Sequence, residues 1–257
     1  MTTKLLVNGE AGAGKTSLLK DLDGVFVISI DGKDFPLAVP HVTYKENVTF
    51  KEIINGYETT VEHVEDGKLV TEVKQIKGII EILDMYVEKM KKFPTTIVVD
   101  SVSKAANNII EKGNTDFENF DIHSHIKREL GLLNSFITEY LEPRCENIII
   151  LNHVVVKDGV YQQTGTGNFK DKGGFYAEVD ESITIVALSD KKRKVMLTGS
   201  QYQARTLLDL PPSMNIAYVH PSDPTKSEED TKEHFNLQRH LDKIKESRKD
   251  VSDWCFS

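Results

Sequence analysis

At 257 residues, 39% hydrophobic and 28% charged, the chain has material for one large globular domain with a real core. Its apolar runs are all too short for a membrane-spanning helix, and Cys145 and Cys255 are too far apart for a disulfide framework or a zinc site, so we expect a leaderless protein of the reducing cytosol. A net charge of -8 argues against coating duplex DNA by bulk electrostatics, although a local basic loop can still track one strand.

In chain order, Lys4-Leu5-Leu6-Val7-Asn8 reads as a short buried strand, and Thr16 to Leu22 as the start of a helix with Leu18, Leu19 and Leu22 at helical spacing. Between them, Gly9-Glu10-Ala11-Gly12-Ala13-Gly14-Lys15-Thr16 matches the phosphate-loop pattern G-x-x-x-x-G-K-[ST]. Its glycines let several N–H groups converge on a polyphosphate. Lys15 can reach the β/γ-phosphates, and the Thr16 hydroxyl can coordinate Mg²⁺. Gly9 through Thr16 is therefore the expected polyphosphate-binding loop. Val25 to Ile30 is a second buried strand, ending at Asp31-Gly32-Lys33-Asp34, and Pro36 and Pro40 mark irregular chain. Tyr57 to Gln75 alternates as a hairpin with its turn at Glu65-Asp66-Gly67 and reads as an insertion decorating the core. An amphipathic helix is expected over Ile76–Lys92, stopped by Pro94.

Thr95 to Ser101 is a β-branched strand carrying Asp100 at its end, followed by helical stretches at Val102–Lys112 and Ile122–Leu141. Asn147 to His153 is another apolar strand with a polar terminus. A small hairpin around Lys157-Asp158-Gly159, a glycine-rich segment from Thr164 to Gly174, and two last core strands at Ser182–Leu188 and Lys194–Thr198 follow. From about Pro211 the composition turns polar, with a short helix expected at Phe235–Ile244. This divides the chain into a core over 1–212 and a polar C-terminal extension over 213–257.

Alternating strands and helices, with several strands continuously apolar, predict an α/β fold. Its central sheet is mainly parallel, with helices on both faces and the small β-hairpin as an insertion. Ligands of such sheets bind at strand carboxyl ends, where Asn8-Gly9, Asp31, Asp100 and Asn152-His153 all fall.

Asp100 at the end of a buried strand can deliver a carboxylate to the Mg²⁺ shell, or it can cap the helix that follows. Asn152 and His153 can sense a γ-phosphate or orient an attacking water, with a structural histidine as the alternative. Asp31, Asp34 and Glu10 all qualify as general base, Asp31 being the first choice. His123 and His125 read as surface residues at a helix start. Thr164–Tyr176 combines glycines with Phe169, Lys170, Lys172, Phe175 and Tyr176, a mixture suited to stacking bases and following a single-stranded backbone. The same composition also fits a lid over the nucleotide. Arg193, Lys194 and Arg205 are candidates to reach a neighbouring subunit's γ-phosphate, Arg205 being preferred because the apolar Thr206–Pro211 segment would fix it.

Gly9–Ser17, Ile97–Ser101, Ile148–His153, and Ala204-Arg205 leading into Leu208-Asp209-Leu210-Pro211 together resemble the phage-encoded P-loop ATPases of the AAA-24 type, RecA-like proteins that include single-strand annealing recombinases. The loop is also similar to the Gly-Glu-x-x-x-Gly-Lys-Thr loop of archaeal and eukaryotic recombinases. The resemblance covers roughly Lys4 to Pro212. It implies a RecA-like P-loop ATPase in which Gly9–Ser17 hold ATP, Asp100 acts on magnesium, His153 is a sensor, and Thr164–Tyr176 lies where recombinases carry a DNA-contacting loop. It departs from the recombinase pattern after the second strand, where Lys33 stands in place of the catalytic glutamate, which implies slow hydrolysis. The implied activity is ATP-dependent annealing or exchange on single-stranded DNA by a homo-oligomer in a host cytoplasm, without a membrane. The acidic, aromatic tail Asp250–Ser257 is similar to the docking tips of single-strand-binding proteins, a possible further partner. The alternative is a P-loop NTPase serving as a loader or switch on protein partners. A small-molecule kinase fits less well, for want of an arginine-rich lid.

Overall fold

The computed structural model describes residues 2–30, 35–44, 48–65, 68–116, 120–163, 179–189, 192–216 and 234–252. Among the described residues, eleven strands are arranged in two sheets. The larger is nine-stranded and contains β1 (Thr3–Gly9), β2 (Val25–Ser29), β3 (His41–Thr43), β6 (Thr96–Asp100), β7 (Asn147–Lys157), β8 (Val160–Gln163), β9 (Glu181–Ser189), β10 (Lys192–Met196) and β11 (Ser213–Ile216). Its order is β11-β10-β9-β1-β7-β6-β2-β3, with β8 hairpinned onto β7. From β9 to β3 every pairing is parallel, and the antiparallel pairs lie at the β10–β11 edge and in the β7–β8 hairpin. The fold is the expected α/β class with a mainly parallel sheet.

The central strands β2 and β6 are buried along their length because both sheet faces are covered there, which is why they read as nearly unbroken apolar or β-branched runs. Strand alternation sorts the core into two layers. Leu6, Ile28, Ile97, Val99, Ile148 and Ile150 face α1 (Phe50–Asn55), α2 (Ile79–Met90), α3 (Val102–Asp116), α4 (Phe120–Ser135) and the π-helical turn Phe136–Leu141. Leu5, Val7, Val27, Val98, Ile149, Leu151, Ile183 and Ile185 face a short 3₁₀ segment (Thr16–Asp21) and α5 (Leu237–Ser252).

The expected hairpin insertion is present as β4 (Gly56–Glu65) paired antiparallel with β5 (Lys68–Lys77), a separate two-stranded sheet. It leaves the core through a narrow neck at Gly56 and Gly78. A Cβ on Gly56 would lie 2.6 Å from the Ile76 carbonyl oxygen, and Gly56 has φ +84.

Four expectations are corrected. The segment after the phosphate loop is one 3₁₀ stretch of six residues rather than a longer helix, because Gly24 (φ +59) turns the chain back toward β2. The core does not end at Pro212, since β11 adds a strand to the sheet and Phe235, Leu237, Leu241 and Ile244 bury against the phosphate-loop layer. The region around Pro40 is not wholly irregular: His41–Thr43 pairs with β2 and Phe50–Asn55 is helical, started by a Thr49/Glu52 capping box. His125 is buried rather than a surface residue, its ring lying 3.3 Å from where a Cβ on Gly113 of α3 would stand.

Candidate functional site

The ends of β1 and β6 converge with the middle of β7 because of register. Gly9 of β1 is level with His153 of β7 and with Ile185 of β9, and β7 separates β1 from β6, where Asp100 is level with Leu151. The loop Gly9–Lys15 therefore rises from the middle of the sheet, with the β6–β7 side on one flank and the β9–β10 side on the other.

The loop folds tightly on itself. The Ala13 amide donates to the Glu10 carbonyl at 3.1 Å, and Gly12 and Gly14 take φ of +75 and +95, conformations that L side chains rarely adopt. A side chain at Gly9 would be crowded, since a Cβ there would stand 3.1 Å from the Ala13 Cβ and 3.3 Å from the Lys15 Cγ. Lys15 is only 5% exposed. Its ammonium donates to the carbonyls of Gly9 at 2.8 Å and Glu10 at 3.0 Å and meets His153 Nδ1 at 3.1 Å. A donating ammonium requires an accepting Nδ1, which places the ring proton of neutral His153 on Nε2. Burial holds the Lys15 pKa down at about 8, against 10.5 for a free lysine, with the nearby Asp100 carboxylate partly opposing the shift.

Thr16 Oγ1 donates to Asp100 Oδ2 at 3.4 Å. The helix-capping alternative for Asp100 is taken up by its neighbour, because Ser101 Oγ accepts the Lys104 amide at 3.4 Å and leaves the Asp100 carboxylate facing the loop. Ser103 Oγ donates to Ser101 Oγ at 3.3 Å and accepts the His153 amide at 3.0 Å, tying the ends of β6 and β7 together.

A magnesium–triphosphate fits these residues. The loop offers a buried ammonium and a glycine cradle, and Thr16 and Asp100 offer two oxygen donors a few ångströms away. Mg²⁺ commonly takes one or two protein oxygens and completes its shell with phosphate and water. Among the described residues no cluster of three or more His, Cys, Asp or Glu forms a free-standing metal site.

The site thus brings together Gly9, Glu10, Ala11, Gly12, Ala13, Gly14, Lys15, Thr16, Asp100 and His153, with Ser17 following in the 3₁₀ segment. Asn152 points to the other face, where its amide donates to Asn8 Oδ1 at 2.9 Å and the Asn8 amide donates to Ser182 Oγ at 3.1 Å. This buried polar ladder crosses β7, β1 and β9 and ties the three strands together. Arg205 does not join the site. Its backbone bridges Ser182 near the start of β9, and its guanidinium donates to the Val179 carbonyl, at the end of the sheet away from the loop. Asp31, Asp34 and the segment holding Phe169, Lys170, Lys172, Phe175 and Tyr176 lie outside the described residues. Ile30, just before Asp31, donates its amide to the Asp100 carbonyl at 2.5 Å.

Sequence reasoning missed Tyr161 as a neighbour of the loop, and it named Arg193 only as a candidate for a neighbouring subunit's phosphate, not as a neighbour of this chain's own loop. Tyr161 of β8 packs on Tyr202 with ring centroids 5.4 Å apart, and its hydroxyl pKa is raised by burial, with smaller contributions from Glu10 and Tyr202. Arg193 of β10 lies against Gly14. Antiparallel pairing places these groups, and no spacing in the chain signals it.

No protein-family model matches the chain, and no curated protein matches it. Among solved structures it is similar, at 12% identity and a TM-score of 0.42, to a prototypical ATPase from the type III secretion system of pathogenic bacteria. The alignment covers 72% of this chain and 51% of that one, so the chain spans about half the length of that ATPase. Among the described residues no helix is long and apolar enough to cross a membrane.

Proposed function

We propose that the chain is a RecA-like ATPase that binds and slowly hydrolyses ATP with Mg²⁺ at the Gly9–Ser17 loop. The observation that carries this reading is the buried Lys15 ammonium, cradled by the Gly9 and Glu10 carbonyls within reach of both His153 and the Thr16–Asp100 pair. Lys15 neutralises the β,γ-phosphate oxygens, and Thr16 and Asp100 hold the magnesium ion. His153, on the intervening strand level with Gly9, orients the attacking water or reports the γ-phosphate. Asp31 is the proposed general base, one residue beyond an amide bonded to the Asp100 carbonyl. When bound, the metal supplies charge neutralisation at the leaving phosphate.

The polymer on which this cycle acts is, in our reading, single-stranded DNA, held through Phe169, Lys170, Lys172, Phe175 and Tyr176 by a homo-oligomer. Support comes from the composition of that segment and from its position directly after β8, the hairpin partner of the strand that carries His153. One observation favours the second reading, a loader or switch acting on protein. The β4–β5 arm exposes Val64 (71%) and Leu69 (67%) near its turn and Val73 (66%) midway along it, apolar surface suited to a protein partner.

ATP turnover of the full chain, measured with and without single-stranded oligonucleotide and compared with Lys15→Ala, tests both levels. Magnesium-dependent turnover that vanishes in Lys15→Ala supports the ATPase, and stimulation by oligonucleotide supports the DNA reading. Turnover indifferent to oligonucleotide at low salt, with no salt-sensitive strand binding, sinks the DNA reading in favour of the protein-partner one.

A further inference from the structure

We propose that Arg193 is a second, cis-acting nucleotide contact: from β10 it holds the α-phosphate and nucleoside end of the same ATP whose β,γ end Lys15 holds. The inference rests on the ATPase reading above and extends it to a residue on the opposite flank of the loop.

Arg193 pairs with Ala187 of β9 and Ile216 of β11, just after a register irregularity at Lys192/Arg193. Such bulges re-aim a side chain. Two residues on, Val195 is buried in the layer that contains Leu18 and Leu19 of the 3₁₀ segment, and alternation puts Arg193 on that same face. There the side chain lies over the phosphate loop: a Cβ on Gly14 would stand 3.6 Å from Arg193 Nε and 3.7 Å from its Cδ. The guanidinium is steadied by Nη1, which donates to the Ser189 carbonyl at 2.9 Å across the β9–β10 turn. A cation is therefore positioned against the chain's own loop.

Polarity follows from sheet order. The groups suited to the terminal phosphate and metal, Asp100 and His153, come from β6 and β7 on one side of β1. With the γ-phosphate on that flank, the remainder of the nucleotide extends toward the other flank, β9 and β10, where Arg193 stands. A guanidinium there can pair with an α-phosphate oxygen and lie against a base or ribose, which a lysine does less well. This differs from the arginine-finger role, in which Arg193 would touch only the γ-phosphate of a neighbour's nucleotide.

The two roles separate by titration. Calorimetric titration of the full chain with MgADP and with MgATP should show Arg193→Gln weakened about tenfold or more for both nucleotides by a common factor, as expected for a lost charge-assisted contact. Arg193→Lys should fall between, since it keeps the charge without the fork. Thermal melting without nucleotide checks that each variant folds, and if Arg193→Gln does not fold, Arg193→Lys carries the comparison. Unchanged binding of both nucleotides overturns the inference, and so does a loss confined to ATP, which marks a γ-phosphate contact. Absence of binding by the unaltered chain overturns the ATPase reading and this inference together, whereas normal binding by both chains overturns this inference alone.

Discussion

The depressed Lys15 pKa makes a quantitative prediction about ATP binding and pH. Without nucleotide the amine sits at about 8 rather than 10.5, chiefly because burial penalises its charged form. That difference corresponds to roughly 3 kcal/mol at about 1.36 kcal/mol per decade. Binding a triphosphate beside Nζ favours the charged form and raises the pKa again. Below pH 8 lysine is protonated before and after binding, so affinity does not depend on this group. As pH rises through 8 toward 10.5, the free protein gives up the proton and the complex keeps it. Binding then takes up a proton and affinity falls, by as much as tenfold per pH unit. Calorimetry in buffers of contrasting ionisation enthalpy should find about half a proton taken up at pH 8 and nearly a whole one at pH 9. Lys15→Arg, which stays charged throughout, should show no such uptake at whatever affinity remains. The same linkage makes the nucleotide-free fold gain stability between pH 8 and 10.5, because the unfolded chain binds the extra proton there. A MgATP affinity that is flat from pH 7 to 9.5 with no net proton uptake would refute the placement of this amine.

Lys15→Met should abolish nucleotide binding without lowering the melting temperature of the free protein, because it removes a buried charge, and paired binding and melting measurements test this. Asp100→Asn should leave MgATP binding no tighter than ATP binding without metal, a loss of about tenfold or more visible by titration with and without Mg²⁺. Gly78→Ala should cost about 2 kcal/mol or more in denaturant unfolding, because the new Cβ would strike the Ile54 carbonyl oxygen and lie 2.6 Å from the Asn55 carbonyl carbon at the hairpin neck. His240→Ala should cost about 3 kcal/mol and loosen α5, because it strips the fully buried Glu181 carboxylate of a partner at 2.8 Å, and chemical denaturation reads this directly.

Local signals in the chain were legible where one physical constraint dominates a short stretch. The Gly9–Thr16 pattern announces a phosphate loop because lysine, hydroxyl and glycine are each needed at one position, and the fold brings Lys15, Thr16, Asp100 and His153 together. The hairpin was readable from alternation about Glu65-Asp66-Gly67, β6 from a β-branched run ending in Asp100, and the first part of β7 from its apolar run, although β7 continues past His153 to Lys157. Misreadings arose where packing overrode composition. The polar stretch after Pro211 hid β11, and the short helix expected at Phe235–Ile244 is present but runs on to Ser252, its buried residues Leu237, Leu241 and Ile244 spaced for one face. His125 looked like a surface residue because its burial comes from Gly113, twelve residues away on another helix.

What the amino-acid order determined by itself was the chemistry on offer: an α/β chain with a nucleotide loop at its start and acid or imidazole groups at strand termini. Tertiary structure alone decided which of those groups meet, since that depends on β7 lying between β1 and β6 and on a parallel register that brings Gly9 level with His153. It also turned Asn152 into a cross-strand tie, took Arg205 to the far end of the sheet, and set Arg193 beside Gly14. Strand order and register are collective outcomes of burying two sheet faces at once, and no single window of sequence contains them.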